Sequence, residues 1–234
     1  MSVAVYPSLS ERSGWWSIRE ALRRGEVLAV PLEDSWCLAE SPMDIQFKPS
    51  GSGIDPQEGF FLSNVHRIKR RPSQKPFLYM VGSLSAILPF AVLPHSPWCK
   101  VWVDSWPAFI TLVLPAKHLA VSLGMSRNGG VAFRIPRDPV LRSFLSYLKT
   151  PITGTSLNIS GSPPLVSMEE IRSLFPDLGG IVSSEEKDAS RISPILDLSK
   201  GSPRVIRPTG GMGQSVICVT ERCDEIPIFK ANFS

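Results

Sequence analysis

The densest run of cations in the chain is His66-Arg67-Ile68-Lys69-Arg70-Arg71-Pro72-Ser73-Gln74-Lys75. Arginine offers a planar fork of donors and lysine a point charge, and the two together suit a polyphosphate. The same residues stand at the end of a helix-like segment. Cations there answer the negative end of the helix dipole, so a solvated helix end is the competing reading. A second candidate is Gly154-Thr155-Ser156-Leu157-Asn158-Ile159-Ser160-Gly161. Such residues satisfy their own backbone in a turn. Placed at the carboxyl end of a strand, where open α/β sheets put their sites, they would instead hold a polar ligand. Gly210-Gly211-Met212-Gly213 lacks the GK[ST] ending of a phosphate-binding P-loop and reads as a turn. No GxSxG elbow is present, and the scattered His66, His95 and His118 give a Ser–His–Asp triad little support. Cys37, Cys99, Cys218 and Cys223 form no CxxC pair, so the sequence carries no zinc pattern and no metal site is expected.

Helix signals recur along the chain. Trp16 to Arg24 reads as a short amphipathic helix stopped by Gly25. Asp55-Pro56-Gln57-Glu58 reads as a helix start, with Phe61, Val65 and Ile68 following at helical spacing. Asp138-Pro139 opens another helix with Val140, Leu141, Phe144, Leu145 and Leu148 on one face. Ser167 with Glu170 forms a capping box ahead of Ile171 and Leu174. Strand-like runs alternate with these: Val27 to Val30, Phe77 to Val81, Phe109 to Leu114, Val131 to Ile135, Ile195 to Leu198, Arg204 to Ile206 and Ser215 to Val219. The alternation predicts an α/β fold with a partly parallel sheet. Gln46 to Ile54 and Ser183 to Ser190 read as polar loops.

The 234 residues are 43% hydrophobic and 20% charged, which excludes a disordered polyelectrolyte and a coiled coil. The 22 prolines are nearly twice the usual ~5%, so the chemistry is expected on loops. A net charge of +4 favours anions without demanding nucleic acid. The stretch between Lys75 and Lys100 has no charged residue, but Pro76, Pro89, Pro94 and Pro97 punctuate it. It reads as a buried strand, a short helix and a loop rather than a membrane span. Met1 to Pro7 has no basic, apolar leader pattern, and the expected location is cytoplasmic, with free thiols and no membrane partner.

In order along the chain, several segments resemble the YrdC-like threonylcarbamoyl-adenylate synthase family. Gly25 to Pro31 is similar to its opening strand, and Lys69-Arg70-Arg71-Pro72 with Lys75-Pro76 resembles its KxRP…KP signature. Trp106-Pro107-Ala108-Phe109-Ile110-Thr111 stands where the family has WPGPxT, and Val131 to Pro136 resembles its VAxRxP strand. Thr155 to Gly161 is close to TSANxSG, and Ser193 through Asp197, then Arg207-Pro208, resembles its late segment. The matches run from about residue 16 to 210, which implies a single domain over 1–234. The resemblance implies a twisted, mixed parallel and antiparallel sheet with flanking helices around a large concave basic cleft. It implies a nucleotidyltransferase that makes threonylcarbamoyl-AMP and pyrophosphate from L-threonine, bicarbonate and ATP, for a tRNA modification. Lys69, Arg71, Lys75 and Arg207 would hold the triphosphate with Mg²⁺, Lys69 and Arg71 acting in catalysis, and Asn158 would contact the nucleotide. Arg134 would pair with the amino-acid carboxylate, and Ser156 and Ser193 would hydrogen-bond the same substrate. The implied partners include tRNA or double-stranded RNA and other tRNA-modification proteins.

The family's first motif, PT[DE]TVYGL, reads Pro31-Leu32-Glu33-Asp34-Ser35-Trp36-Cys37-Leu38 in this chain. A threonine expected to touch the substrate falls on Asp34, and a histidine expected at the amino-acid end falls on Met80. The departures concentrate at the threonine end, whereas the phosphate-binding cations are all present. Two readings follow: a divergent synthase, or a paralogue that keeps a nucleotide- or double-stranded-RNA-binding cleft with lost or altered activity.

Overall fold

The computed structural model describes residues 3–43, 53–54, 61–72, 75–159, 162–188 and 192–208. Its strands are β1 (Ala4–Tyr6), β2 (Leu28–Pro31), β3 (Trp36–Ala39), β4 (Gly53–Ile54), β5 (Phe61–Leu62), β6 (Leu78–Met80), β7 (Thr111–Pro115), β8 (Gly130–Arg134), β9 (Ile152–Ser156), β10 (Gly180–Val182), β11 (Ile195–Asp197) and β12 (Arg204–Arg207). The helices are α1 (Trp15–Arg23), α2 (Asn64–Lys69), α3 (Pro97–Asp104), α4 (His118–Ser122), α5 (Pro139–Leu148) and α6 (Met168–Leu174). One ten-stranded sheet runs β1-β10-β2-β3-β9-β6-β8-β7-β11-β12, and β4 pairs with β5 apart from it. Pairing is parallel at β1/β10, β10/β2, β6/β8 and β7/β11. It is antiparallel at β2/β3, β3/β9, β6/β9, β7/β8 and β11/β12. The mixed sheet with flanking helices is the architecture expected from the sequence.

Alternation of side chains along the strands sends residues to two separate cores. Leu28, Val30, Cys37, Ala39, Met80 and Ile152 pack under α1 and α5, against Ile18, Leu22, Leu141 and Phe144. Ala29, Leu38, Tyr79, Phe133 and Leu112 face the other way, with Val65 of α2, Trp102 of α3, Ala120 of α4 and Ile171 of α6. Trp15 meets the edge of Phe144 with centroids 5.6 Å apart. Of the face expected on α5, Leu141, Phe144, Leu145 and Leu148 are buried and Val140 is exposed.

Caps set the helix ends. Gly25 has φ +78°, a left-handed conformation that glycine adopts at no steric cost, and it ends α1. The Asp138 carboxylate accepts the Leu141 N–H and starts α5. Ser167 and Glu170 form the expected capping box. The second predicted helix needs correction. Residues 55–60 lie outside the described residues, Phe61 belongs to β5, and α2 begins only at Asn64. The reason is Ser63, whose hydroxyl accepts the Val65 N–H while its own N–H is taken by His66. The 46–52 part of the first polar loop, the 210–213 glycine run and the 215–219 strand likewise lie outside the described residues.

Candidate active site

Lys69 closes α2, and its ammonium reaches strand β9. It donates to the Ser156 carbonyl at 2.5 Å and the Thr155 hydroxyl at 3.2 Å, with the Ser156 hydroxyl farther off at 3.4 Å. Gly154-Thr155-Ser156 therefore ends a strand rather than forming a turn, and Leu157 to Ile159 follow it as the loop. Asn158 shapes that loop: its amide donates to the Ser162 carbonyl at 2.7 Å, and its oxygen accepts the Ser156 hydroxyl at 3.1 Å. Ser160 and Gly161 lie outside the described residues.

The other cations gather electrostatically around Lys69. Burial first, then Arg71 and Lys75, push the Lys69 ammonium down to about 8. Arg71 is held below the ordinary guanidinium value by burial and by Arg207. Arg207 is held down by burial and by Arg134. Like charges placed this close disfavour one another, and an anion bound between them would relieve the repulsion. Arg71 donates to the Pro76 carbonyl at 2.9 Å and lies 5.5 Å from the Phe77 ring centre. Its Nε is buried with no hydrogen-bond partner among the described residues. Arg207 donates twice to the Ser193 carbonyl, at 2.8 and 3.1 Å, which ties β12 to the segment before β11. Ser193 is itself buried, and Lys75 is exposed. The basic run is thus more than a solvated helix end.

At the expected amino-acid end the structure differs from expectation. Arg134 is buried and ion-paired with Glu33, and its guanidinium lies 4.5 Å from the centre of the Phe109 ring. Glu33 also accepts the backbone N–H groups of Arg137 and Asp138 at the start of α5. A substrate carboxylate would have to share Arg134 with Glu33. Asp34 sits in the tight turn joining β2 and β3, where the Leu32 N–H reaches the Ser35 carbonyl at 2.7 Å. Its charge also acts on Arg134. Met80 is fully buried in the core beneath α1 and α5, 3.2 Å from where a Cβ on Gly154 would stand. The register of β6 and β8 puts position 80 beside Arg134, on the same face of the sheet. Glu33 and Phe109 are contributors that the reading by residue type passed over. Glu33 carried a signal, since it is one of the matched positions of the first motif.

The model of the Sua5/YciO/YrdC family, described as telomere recombination, matches residues 53–209. The chain belongs to this family. It is 27% identical over 186 residues to a threonylcarbamoyl-AMP synthase of Aliivibrio fischeri, spanning 78% of this chain and 93% of that enzyme. Among solved structures, E. coli YciO superposes with a TM-score of 0.69 over 90% of this chain and 97% of its own, at 19% identity. P. abyssi Sua5 complexed with L-threonine gives 0.68 over 88% of this chain and 57% of its own, at 23% identity. These two likenesses establish the shared Sua5/YciO fold. As a member of the Sua5/YciO/YrdC family the chain is a transferase. No helix among the described residues is long and apolar enough to cross a membrane.

Proposed function

We propose that the chain is an L-threonylcarbamoyladenylate synthase, using ATP, bicarbonate and L-threonine and serving tRNA modification. The observation that carries this reading is the mutually repelling set Lys69, Arg71, Lys75 and Arg207, on the segments that resemble the family's phosphate-binding motifs. In the reaction, the threonine amine and bicarbonate give a carbamate and water. A carbamate oxygen then attacks the α-phosphorus of ATP. The bond from that phosphorus to its bridging oxygen breaks, and pyrophosphate leaves with the electron pair. The step needs alignment and charge stabilisation rather than a protein nucleophile. Arg71, Lys75 and Arg207 would hold the triphosphate. Lys69 would exchange its long contact to the Ser156 hydroxyl for a phosphate oxygen, releasing that hydroxyl toward the amino acid. Asn158 would meet the nucleotide, and Ser193, tied to Arg207, would stand beside the substrate. The Nε of Arg71, without a hydrogen-bond partner among the described residues, fits an anion at this place. Among the described residues no cluster of three or more His, Cys, Asp or Glu could hold a metal, so Mg²⁺ would arrive with the ATP phosphates as part of the substrate.

The Glu33–Arg134 pair favours a second reading, in which the nucleotide site is kept and the acceptor differs from threonine or the cleft takes double-stranded RNA. Calorimetric titration with Mg-ATP tests what the two share. Wild-type protein is expected to bind, and Arg71→Ala to bind about 10- to 150-fold more weakly, the loss of one charged hydrogen bond of ~1.5–3 kcal/mol. Unchanged affinity in Arg71→Ala would remove the clamp.

A further inference from the structure

Glu40 is fully buried, two residues beyond the last matched position of the first motif, and nothing in the proposed chemistry uses it. It continues β3: its N–H reaches the Thr153 hydroxyl at 2.9 Å, and its carbonyl accepts the Thr153 N–H at 2.8 Å. Its side chain leaves the sheet for the start of α2. One carboxyl oxygen accepts the Ser63 hydroxyl, and the other accepts the Asn64 amide at 3.2 Å. Ser63 in turn caps α2, and its own N–H goes to the imidazole of His66. At the far end of the same helix, Lys69 is tied to Thr155 and Ser156.

Both ends of α2 are therefore fixed to one strand, β9, or to the residue paired with it. The spans agree. From Asn64 to Lys69 a helix advances about 8 Å. From Thr153 to Ser156 a strand advances about 10 Å. A carboxyl is costly to bury unless its partners satisfy it, and two side-chain donors do so here. A helix of this length does not hold its place by its own backbone bonds. Its position, and with it the direction in which Lys69 and Arg71 point, depends on such anchors.

We propose that Glu40 is a positioning residue for the polyphosphate site, fixing the start of α2 so that its cationic end meets β9. The proposal rests on the nucleotide reading of the cations, and the test separates the two. The probe is inorganic triphosphate, which reports on the cations whatever nucleotide or acceptor the enzyme takes. Backbone hydrogen exchange supplies a readout that needs no ligand. In Glu40→Gln, triphosphate affinity is expected to fall about tenfold, and exchange over residues 63–71 to quicken about tenfold while α5 keeps its wild-type rate. Ser63→Ala should act in the same direction, and the double variant should be no weaker than the worse single variant, since both break one chain of contacts. In turnover, the ATP KM should rise with kcat at saturation retained. Exchange that quickens equally in α5 would make Glu40 a general stability residue and overturn the proposal. Triphosphate affinity within twofold of wild type would overturn it as well. If wild-type protein fails to bind triphosphate, the polyphosphate reading falls, and local exchange alone decides whether Glu40 anchors α2.

Discussion

Nucleotide binding should take up a proton, and Lys69 should be the group that receives it. In the free protein, burial and the neighbouring Arg71 and Lys75 push the Lys69 ammonium from 10.5 down to about 8. A phosphate oxygen against Nζ, with its charge also cancelling the neighbours, would return it toward its ordinary value. At pH 8.5 a group titrating at 8 is about one-quarter protonated, and one titrating at 10.5 is almost fully protonated, so about 0.75 proton is taken up per ligand. The phosphates of ATP are already ionised at that pH and contribute little. The shift corresponds to about 3 kcal/mol of coupling between ligand and proton. The sign follows from which state binds the proton more tightly. Affinity is full below pH 8 and declines as pH rises, by about 30-fold between pH 7 and 9.5. The assay is calorimetry of Mg-ATP binding at pH 8.5 in buffers of different ionisation enthalpy. The slope of observed enthalpy against buffer enthalpy gives the proton count. Lys69→Met keeps the length of the side chain, removes the ammonium and should bring the count near zero. A count near zero in wild type, or an equal count in Lys69→Met, would refute the reasoning.

Three further outcomes are expected. Glu33→Ala leaves the buried Arg134 guanidinium without its carboxylate and should destabilise by about 3–5 kcal/mol in urea unfolding; a loss below ~1 kcal/mol would show the pair to be solvent-screened. Phe144→Ala opens a cavity between α5 and Trp15 and should cost about 3–5 kcal/mol by the same measurement, with no change in ATP affinity for the protein that remains folded. Asp34→Thr removes a carboxylate from beside Arg134 and should lower the threonine KM severalfold, in line with ~1 kcal/mol of repulsion; an unchanged KM would place Asp34 outside the amino-acid site.

Much of the frame could be read from local chemistry. α5 announced itself by the Asp138 cap, the following proline and an apolar face, and α6 by its capping box. β8 and β6 stood out as apolar runs. The strands that escaped notice lacked such marks. β3 is Trp36-Cys37-Leu38-Ala39, buried on both faces, so it shows no alternation between apolar and polar residues. β9 is Ile152-Thr153-Gly154-Thr155-Ser156, whose glycine and hydroxyls speak for a turn. Its place in the sheet comes from pairing with β3 and β6, partners more than 70 residues away along the chain. At the site, the cation run and the Ser156–Asn158 segment were visible as residue types. Their coming together was not, because Lys69 finds Ser156 across 87 residues of sequence. The Glu33–Arg134 and Glu40–Ser63 contacts join residues 101 and 23 positions apart, and no spacing rule reaches that far. Met80, aligned with a motif histidine, is fully buried, and its closeness to Arg134 comes from the β6/β8 register, which joins residues 54 positions apart.

The most direct measurement of the central claim is pyrophosphate release by the purified chain, with Mg-ATP held fixed and threonine or bicarbonate supplied or withheld. Release that needs both, together with threonylcarbamoyl-AMP in the product mixture, is the predicted result. Folded protein that binds ATP but releases no pyrophosphate in answer to threonine would contradict it.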